Sequence, residues 1–180
     1  AAKHYENVAI ARKDGKYAKP AALNAVAAYA IVDKATKYPK VPVLGSVEQP
    51  IAIPETKAAL VKAMEMYIGM FPTEADVPAI RFTIAGIHYE YGHYPVALKR
   101  YEDIFQAHPK TEQGRASIKV MVGHYTGRKD YANSIAQTRK YMGDDRVSDG
   151  SLKTWLTDNL RLAMFQLAIA FETQKQFVEA

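Results

Sequence analysis

One stretch of this sequence, residues 81–109, constrains the fold more than any other. Its apolar and small residues recur every three or four positions on both sides of a turn at Gly92–Tyr94, and Pro109 closes the unit. That spacing predicts two helices joined by a tight turn. A helical hairpin cannot bury its apolar face alone, so we expect it to stack on similar hairpins from the same chain.

The spacing of this hairpin recurs along the chain with a period of 37 residues. The pairs at this separation are Pro72 and Pro109, Gly86 and Gly123, and Tyr94 and Tyr131. Near the end of the chain, Phe177 and Ala180 match Tyr94 and Ala97 if residues 144–151 are treated as an insertion. Several matches in one register predict an internal repeat.

The hydrophobic periodicity predicts an all-α chain of about nine antiparallel helices, which we interpret as a single repeat domain over residues 1–180. After a first helix over residues 2–13, the predicted helix pairs cover residues 20–72, 77–109, 112–142 and 151–180. A loop over residues 39–54 with four prolines interrupts the first pair. Loops of that length are often functional, so it is a candidate second contact surface. Because the chain begins and ends inside helical patterns, we expect it to be a fragment of a longer protein.

Composition and charge narrow the class of protein. The 180 residues are 48% hydrophobic and include no cysteine, which excludes disulfides, thiolate chemistry and cysteine-ligated zinc. The apolar runs are too short to predict a membrane span. Residues 1–40 carry eight lysines and arginines against three acidic residues, so this segment accounts for the whole net charge of +5. Such a segment is either a solvated polar face or a contact for an anionic partner.

The hairpin of residues 81–109 carries six residues at a characteristic spacing: Ala85, Gly92, Tyr94, Ala97, Tyr101 and Pro109. This pattern resembles the tetratricopeptide repeat. The resemblance extends to residues 113–146, where Lys129 replaces the turn glycine and Ser134 the alanine, and in part to residues 160–180. It implies a right-handed α-solenoid in which small residues let paired helices approach closely and aromatic residues fill the groove to the next pair.

Residues 102–114 are similar to bacterial cell-envelope members of this family, which include outer-membrane assembly lipoproteins and periplasmic cell-division coordinators. The resemblance implies a location in the periplasm or cell envelope, with the cytoplasm as the alternative. It also implies a possible peripheral or lipid-anchored association of the longer protein with the membrane. Fold-level analogy of this kind says little about function.

In this family the first helix of each pair lines a concave groove that holds a protein or peptide partner. Carried over by register, the partner-binding positions are Phe82, Tyr89, Glu90, Lys119, Thr126, Phe165 and Glu172. Aromatic anchors supply much of the energy at such surfaces. The alternative for each aromatic residue is packing against a neighbouring helix.

The sequence contains none of the common nucleotide-binding, hydrolase or metalloprotease motifs. Its five histidines do not follow a metal-ligand spacing, so we expect no metal and no cofactor. The charge balance of residues 41–180 argues against nucleic-acid binding. We therefore expect a non-enzymatic scaffold or adaptor for a protein or peptide partner. The alternative is a substrate-docking or regulatory repeat domain of a larger enzyme, and the sequence does not determine the oligomeric state.

Overall fold

The computed structural model describes residues 1–11, 13, 15–38 and 48–178 of the chain. The described residues form eight helices and no strand. The helices are α1 (Ala2–Ala11), α2 (Ala18–Ala35), α3 (Glu55–Met70), α4 (Val77–Glu90), α5 (Tyr94–Ala107), α6 (Glu112–Gly127), α7 (Tyr131–Met142) and α8 (Gly150–Val178). The prediction of an all-α chain is confirmed.

The main difference from the sequence-based prediction lies at the end of the chain. The sequence predicts a pair of helices over residues 151–180, but the described part of this range belongs to one helix, α8, so the described residues form eight helices rather than about nine. No glycine or proline occurs between Ser151 and Val178, so nothing in this segment interrupts a helix. Of the predicted loop over 39–54, residues 39–47 lie outside the described residues, and residues 48–54 are irregular.

The chain divides into two compact units, Ala1–Arg100 and Tyr101–Ala180, with the boundary inside α5. In the first unit, α2 supplies small buried residues, among them Ala21, Ala22 and Ala25, which allow its neighbours to approach closely. Tyr67 of α3 is fully buried and its hydroxyl donates to the Asp76 carboxylate at 2.9 Å. This bond ties α3 to the residue that precedes α4.

The second unit has its core around Tyr141 of α7. The Tyr141 ring is fully buried and meets the Phe105 ring edge-on, with 5.4 Å between the ring centroids. Its hydroxyl donates to the Glu102 carboxylate and lies 3.3 Å from the Met121 sulfur. One side chain therefore joins α5, α6 and α7. Three residues of α8 are fully or almost fully buried: Leu152, Leu156 and Ala163.

The turns between α4 and α5 and between α6 and α7 close in the same way. At the first turn, the His93 amide donates to the His88 carbonyl at 2.9 Å. At the second, the Asp130 amide donates to the Tyr125 carbonyl, also at 2.9 Å. This six-residue closure at a helix C-terminus is the Schellman pattern, and here it recurs with the 37-residue spacing seen in the sequence.

The start of α6 depends on a close backbone approach. The Thr111 hydroxyl caps the helix by accepting from the Gly114 amide at 3.1 Å. A Cβ atom on Gly114 would lie 2.2 Å from the His108 carbonyl oxygen, which no side chain can tolerate without movement of the backbone. Glycine at this position therefore lets the turn after α5 fold tightly against α6.

Candidate partner-binding surface

In the first unit, the sequence-predicted groove residues are largely engaged within the unit itself. Tyr89 is only 7% exposed, and its ring packs against Tyr94 at a centroid distance of 5.0 Å. Phe82 is half-buried. Glu90 lies 3.8 Å from the Lys57 ammonium. Tyr89 therefore offers little surface to a partner, and Glu90 would have to leave an ion pair to contact one.

Glu90 belongs to a polar cluster that the sequence did not reveal. Lys57 lies between two carboxylates, 3.3 Å from Asp33 and 3.8 Å from Glu90. The Tyr38 hydroxyl donates to Asp33 and lies 2.5 Å from the Thr56 hydroxyl. The cluster joins the end of α2 to the start of α3 and the end of α4. Its contacts therefore stabilise the packing of these three helices.

The residues beside this cluster are tightly held as well. Burial, with the nearby Glu90 charge, raises the pKa of Tyr91 to about 12. The Tyr91 carbonyl accepts from the Ile51 amide at 3.0 Å, and the Ile51 carbonyl lies 2.9 Å from Nε2 of His93. The irregular segment before α3 is thus attached to the turn between α4 and α5.

In the second unit, the predicted groove positions come together with α8. The Lys119 ammonium of α6 lies 5.8 Å from the centroid of the Trp155 ring of α8. A cation at this distance over an indole ring is attracted by the negative face of the ring. Lys119 is exposed and Trp155 half-buried, so both remain accessible. The contact brings the predicted lining face of α6 next to one face of α8.

That face of α8 continues as an apolar line. Trp155, Leu162 and Ile169 are seven residues apart, so they project from the same side of the helix. Leu162 and Ile169 are 48% and 43% exposed. On α6, Gly123 lies one turn beyond Lys119, and the position of its missing side chain has no neighbour within 4 Å. We call the surface formed by Lys119, Gly123, Trp155, Leu162 and Ile169 the α6–α8 face.

One end of the α6–α8 face is polar. A small cavity of about 160 Å³ lies between the start of α6 and the start of α8. Its lining residues are Glu112, Arg115, Ala116, Lys119, Asp149, Ser151 and Leu152. Hydrogen bonds from the Ser151 hydroxyl and the Leu152 amide lower the pKa of Asp149, so this carboxylate is charged at neutral pH. The face therefore runs from a charged end through an aromatic contact to an apolar end.

The remaining predicted residues have different environments. The Thr126 hydroxyl is 2.7 Å from the Ser134 hydroxyl and donates to the Val122 carbonyl, so it links α6 to α7. Phe165 is 61% exposed and Glu172 is exposed, both on the outward side of α8. Of the seven predicted residues, Lys119 and Phe165 thus combine exposure with a side chain suited to binding.

Two apolar grooves were not predicted from the sequence. In the first unit, a groove of about 590 Å³ lies against Tyr29, Ile31 and Val32 of α2. In the second, a groove of about 460 Å³ separates α7 from α8, with Ile135 and Phe171 among its lining residues. The signal that could have found the second groove is the density of large apolar residues on α8, which exceeds what one buried stripe requires.

Among the described residues, no three histidine, aspartate or glutamate side chains are grouped so that they could hold a metal ion. Over the same ranges, no helix combines the length and apolar character needed to cross a membrane. No protein-family model matches the chain, and neither the curated proteins nor the solved structures include a significant match to it.

Proposed function

We propose that this chain is a non-enzymatic interaction module built of tetratricopeptide-like repeats in a solenoid, and that it binds a segment of a protein partner. The observation that carries the proposal is the contact between Lys119 and Trp155. It joins the face of α6 that the repeat register predicts to line a binding groove to an exposed face of α8. The resemblance of residues 102–114 to envelope proteins supports a role in a bacterial envelope complex.

The chemistry of the α6–α8 face indicates what kind of segment would bind. Lys119 supplies an exposed positive charge that favours a carboxylate, either an acidic side chain or a chain terminus. Trp155, Leu162 and Ile169 supply apolar surface next to it, and aromatic anchors are frequent hot spots of binding. Gly123 leaves space for the backbone of the ligand. The expected ligand is therefore a short segment with a carboxylate beside one or two apolar side chains.

A selection from a random peptide-display library on the immobilised protein tests this proposal. We expect enrichment of peptides with a carboxylate near apolar residues. Lys119→Glu should weaken their binding at least about tenfold, which corresponds to about 1.4 kcal/mol. Lys153→Glu is the matched control, since it makes the same charge change on an exposed position of α8, on the side away from Trp155. Failure to enrich peptides, or equal binding by both variants, would refute the proposal.

A further inference from the structure

The groove between α7 and α8 is open to solvent. Its wall on α8 is a stripe of residues at spacings i, i+3, i+4 and i+7, namely Met164, Leu167, Ala168 and Phe171. Residues at this spacing lie on one side of a helix, and the stripe is about 10 Å long. Met164 and Phe171, at its two ends, are 47% and 58% exposed. Contiguous apolar surface of this kind marks an interaction site.

The opposite wall of the groove is formed by Ala132, Ile135 and Arg139 of α7, again at helical spacing. Ile135 is half-buried, whereas Ala132 and Arg139 are exposed. Each wall therefore contains a small residue, Ala132 on α7 and Ala168 on α8, which leaves room for large side chains of an occupant. The row of side chains on a third helix fits into a groove between two helices in this way.

The chemistry of the walls favours a helix over an extended segment. Arg139 is the one lining residue with a charged side chain, and the other six are apolar. An extended segment would place its backbone N–H and C=O groups against apolar side chains that cannot bond to them. A helix pairs these groups internally, and an amphipathic helix also brings a polar outer face for the side that stays in water. A bound acyl chain has no such outer face and would remain partly exposed.

The charges at one end of the groove favour an acidic helix. Arg139 is exposed, and no carboxylate among the described residues pairs with it. Arg161 of α8 is seven residues before Ala168, so it projects from the same side of the helix, and its side chain is 79% exposed. Because residues 143–149 connect α7 to α8, both arginines lie toward the connected end of the groove. The exposed pair of Arg161 with Asp158, at 3.8 Å, contributes little energy, so a carboxylate of a partner can replace it.

We propose that the α7–α8 groove is a second binding site, which takes an amphipathic helix of a protein partner. The helix supplies large apolar side chains at i, i+3 or i+4, and i+7, and an acidic turn at one end that meets Arg139 and Arg161. This site is distinct from the α6–α8 face, because Leu162 and Phe171 are nine residues apart and project from opposite sides of α8. One helix thus serves two sites, and one chain holds two ligands at once.

Fluorescently labelled synthetic peptides test the proposal. The probe has leucines at i, i+4 and i+7 in a background of alanine and glutamine, with two glutamates in the turn at one end. Two versions carry the glutamates at opposite ends, since the helix can lie in either direction. One control peptide has the same composition with the leucines spread around the helix, and another has a central proline that prevents a helix. In titrations with the whole chain, followed by anisotropy, one version of the probe should bind at least about tenfold more tightly than either control.

Matched substitutions locate the binding. Phe171→Ala should weaken binding of the probe at least about tenfold. Phe165→Ala removes a ring of similar exposure, 61% against 58%, that projects about 120° away, and it should have no effect. Arg139→Glu should weaken binding of the acidic probe and improve binding of a version with lysines in place of the glutamates, which a loss of structure would not do. Lys110→Glu makes a similar charge change at an exposed turn position and should behave as wild type. Circular dichroism checks that each variant is folded.

Three results would overturn the proposal: no binding of either probe at several hundred micromolar, equal binding of the probe and the control peptides, or equal losses in Phe165→Ala and Phe171→Ala. The peptide-binding function fails independently of this site. Lys119→Glu should lose the peptides selected on the α6–α8 face and still bind the helical probe, whereas Phe171→Ala should do the reverse. Competition between the two ligands would show that the sites are not separate, and the proposal would then be wrong.

Discussion

Gly92 and Lys129 occupy equivalent positions 37 residues apart, and both adopt left-handed backbone conformations, with φ of 76° and 59°. Lys129 is the one non-glycine residue with positive φ among the described residues. The conformation costs a glycine almost nothing, whereas a residue with a Cβ atom is strained in it. The turn geometry is thus kept at the second position even though its preferred residue is absent.

Replacement of Lys129 by glycine should stabilise the second unit. The change relieves the strained backbone and leaves the Schellman hydrogen bonds in place, so we expect a gain of about 0.5–1 kcal/mol in the free energy of unfolding. Urea denaturation followed by circular dichroism measures it. Lys110→Gly, at an exposed turn position without positive φ, serves as the control and should be neutral or destabilising. A loss of stability in Lys129→Gly would contradict the explanation by strain.

Two further glycines should respond in opposite ways to alanine. Gly114→Ala forces a Cβ atom against the His108 carbonyl, so we expect a loss of about 1–3 kcal/mol. Gly123→Ala places a methyl group in open space within α6, where the higher helix propensity of alanine should add about 0.5–1 kcal/mol. The melting temperatures of both variants test this pair of predictions. Equal shifts would show that the close approach at Gly114 does not control the turn.

Acid should destabilise the protein in part through the half-buried His88 and the buried His124. Burial, with repulsion from Arg100, lowers the pKa of His88, and burial with Arg128 lowers that of His124. The unfolded chain binds a proton at each site near pH 6.5. The folded chain binds it only at lower pH, so the stabilisation is complete above pH 6.5 and is lost as the pH falls below it.

Melting temperatures between pH 7.5 and 5.5 give the test for His88. Its ring nitrogens have no hydrogen-bond partner among the described residues, so His88→Leu should remove the proton uptake without breaking a bond. We expect the variant to lose less stability than wild type over this range. If the melting temperatures of both proteins fall in parallel, His88 does not contribute to acid sensitivity.

The bond between Tyr141 and Glu102 should couple α5 to α7. Although burial favours the protonated acid, hydrogen bonds from Tyr141, Gln106 and Lys140 outweigh it and lower the pKa of Glu102. A double-mutant cycle with Tyr141→Phe and Glu102→Gln should give a coupling energy of about 1–2 kcal/mol, as expected for a hydrogen bond to a charged group. The exposed Lys140–Glu102 ion pair serves as the comparison. Its coupling energy in the same kind of cycle should be less than about 1 kcal/mol.

The sequence predicted the helices well where a glycine or proline marks the end of a helix. Helices α4, α5, α6 and α7 lie where Gly92, Pro109 and the 37-residue register predict helices. The prediction is wrong for α8: the similarity at Phe177 predicts a second helix, although neither glycine nor proline occurs in the segment to break the first. In this segment, the local helix propensity of the residues predicts the structure better than their similarity to an earlier repeat does.

The surface was harder to predict than the helices. The repeat register identified Lys119, which lies beside Trp155, but it also selected Tyr89, which is buried. Register fixes the side of a helix that a residue occupies and does not fix how closely the neighbouring helix covers it. The Lys57 cluster was missed for a related reason, because Asp33 and Glu90 are distant in sequence and only tertiary packing brings them together.

The attachments at Tyr38 and Ile51 have a practical consequence for the segment between them. Both anchors belong to folded parts of the first unit, so residues 39–47 connect two points whose separation is already set. The entropic cost of lengthening such a connection grows only with the logarithm of its length. The two attachments therefore hold the described residues on either side of this connection, so α2 and α3 should keep their relative position when only the length of the connection is changed.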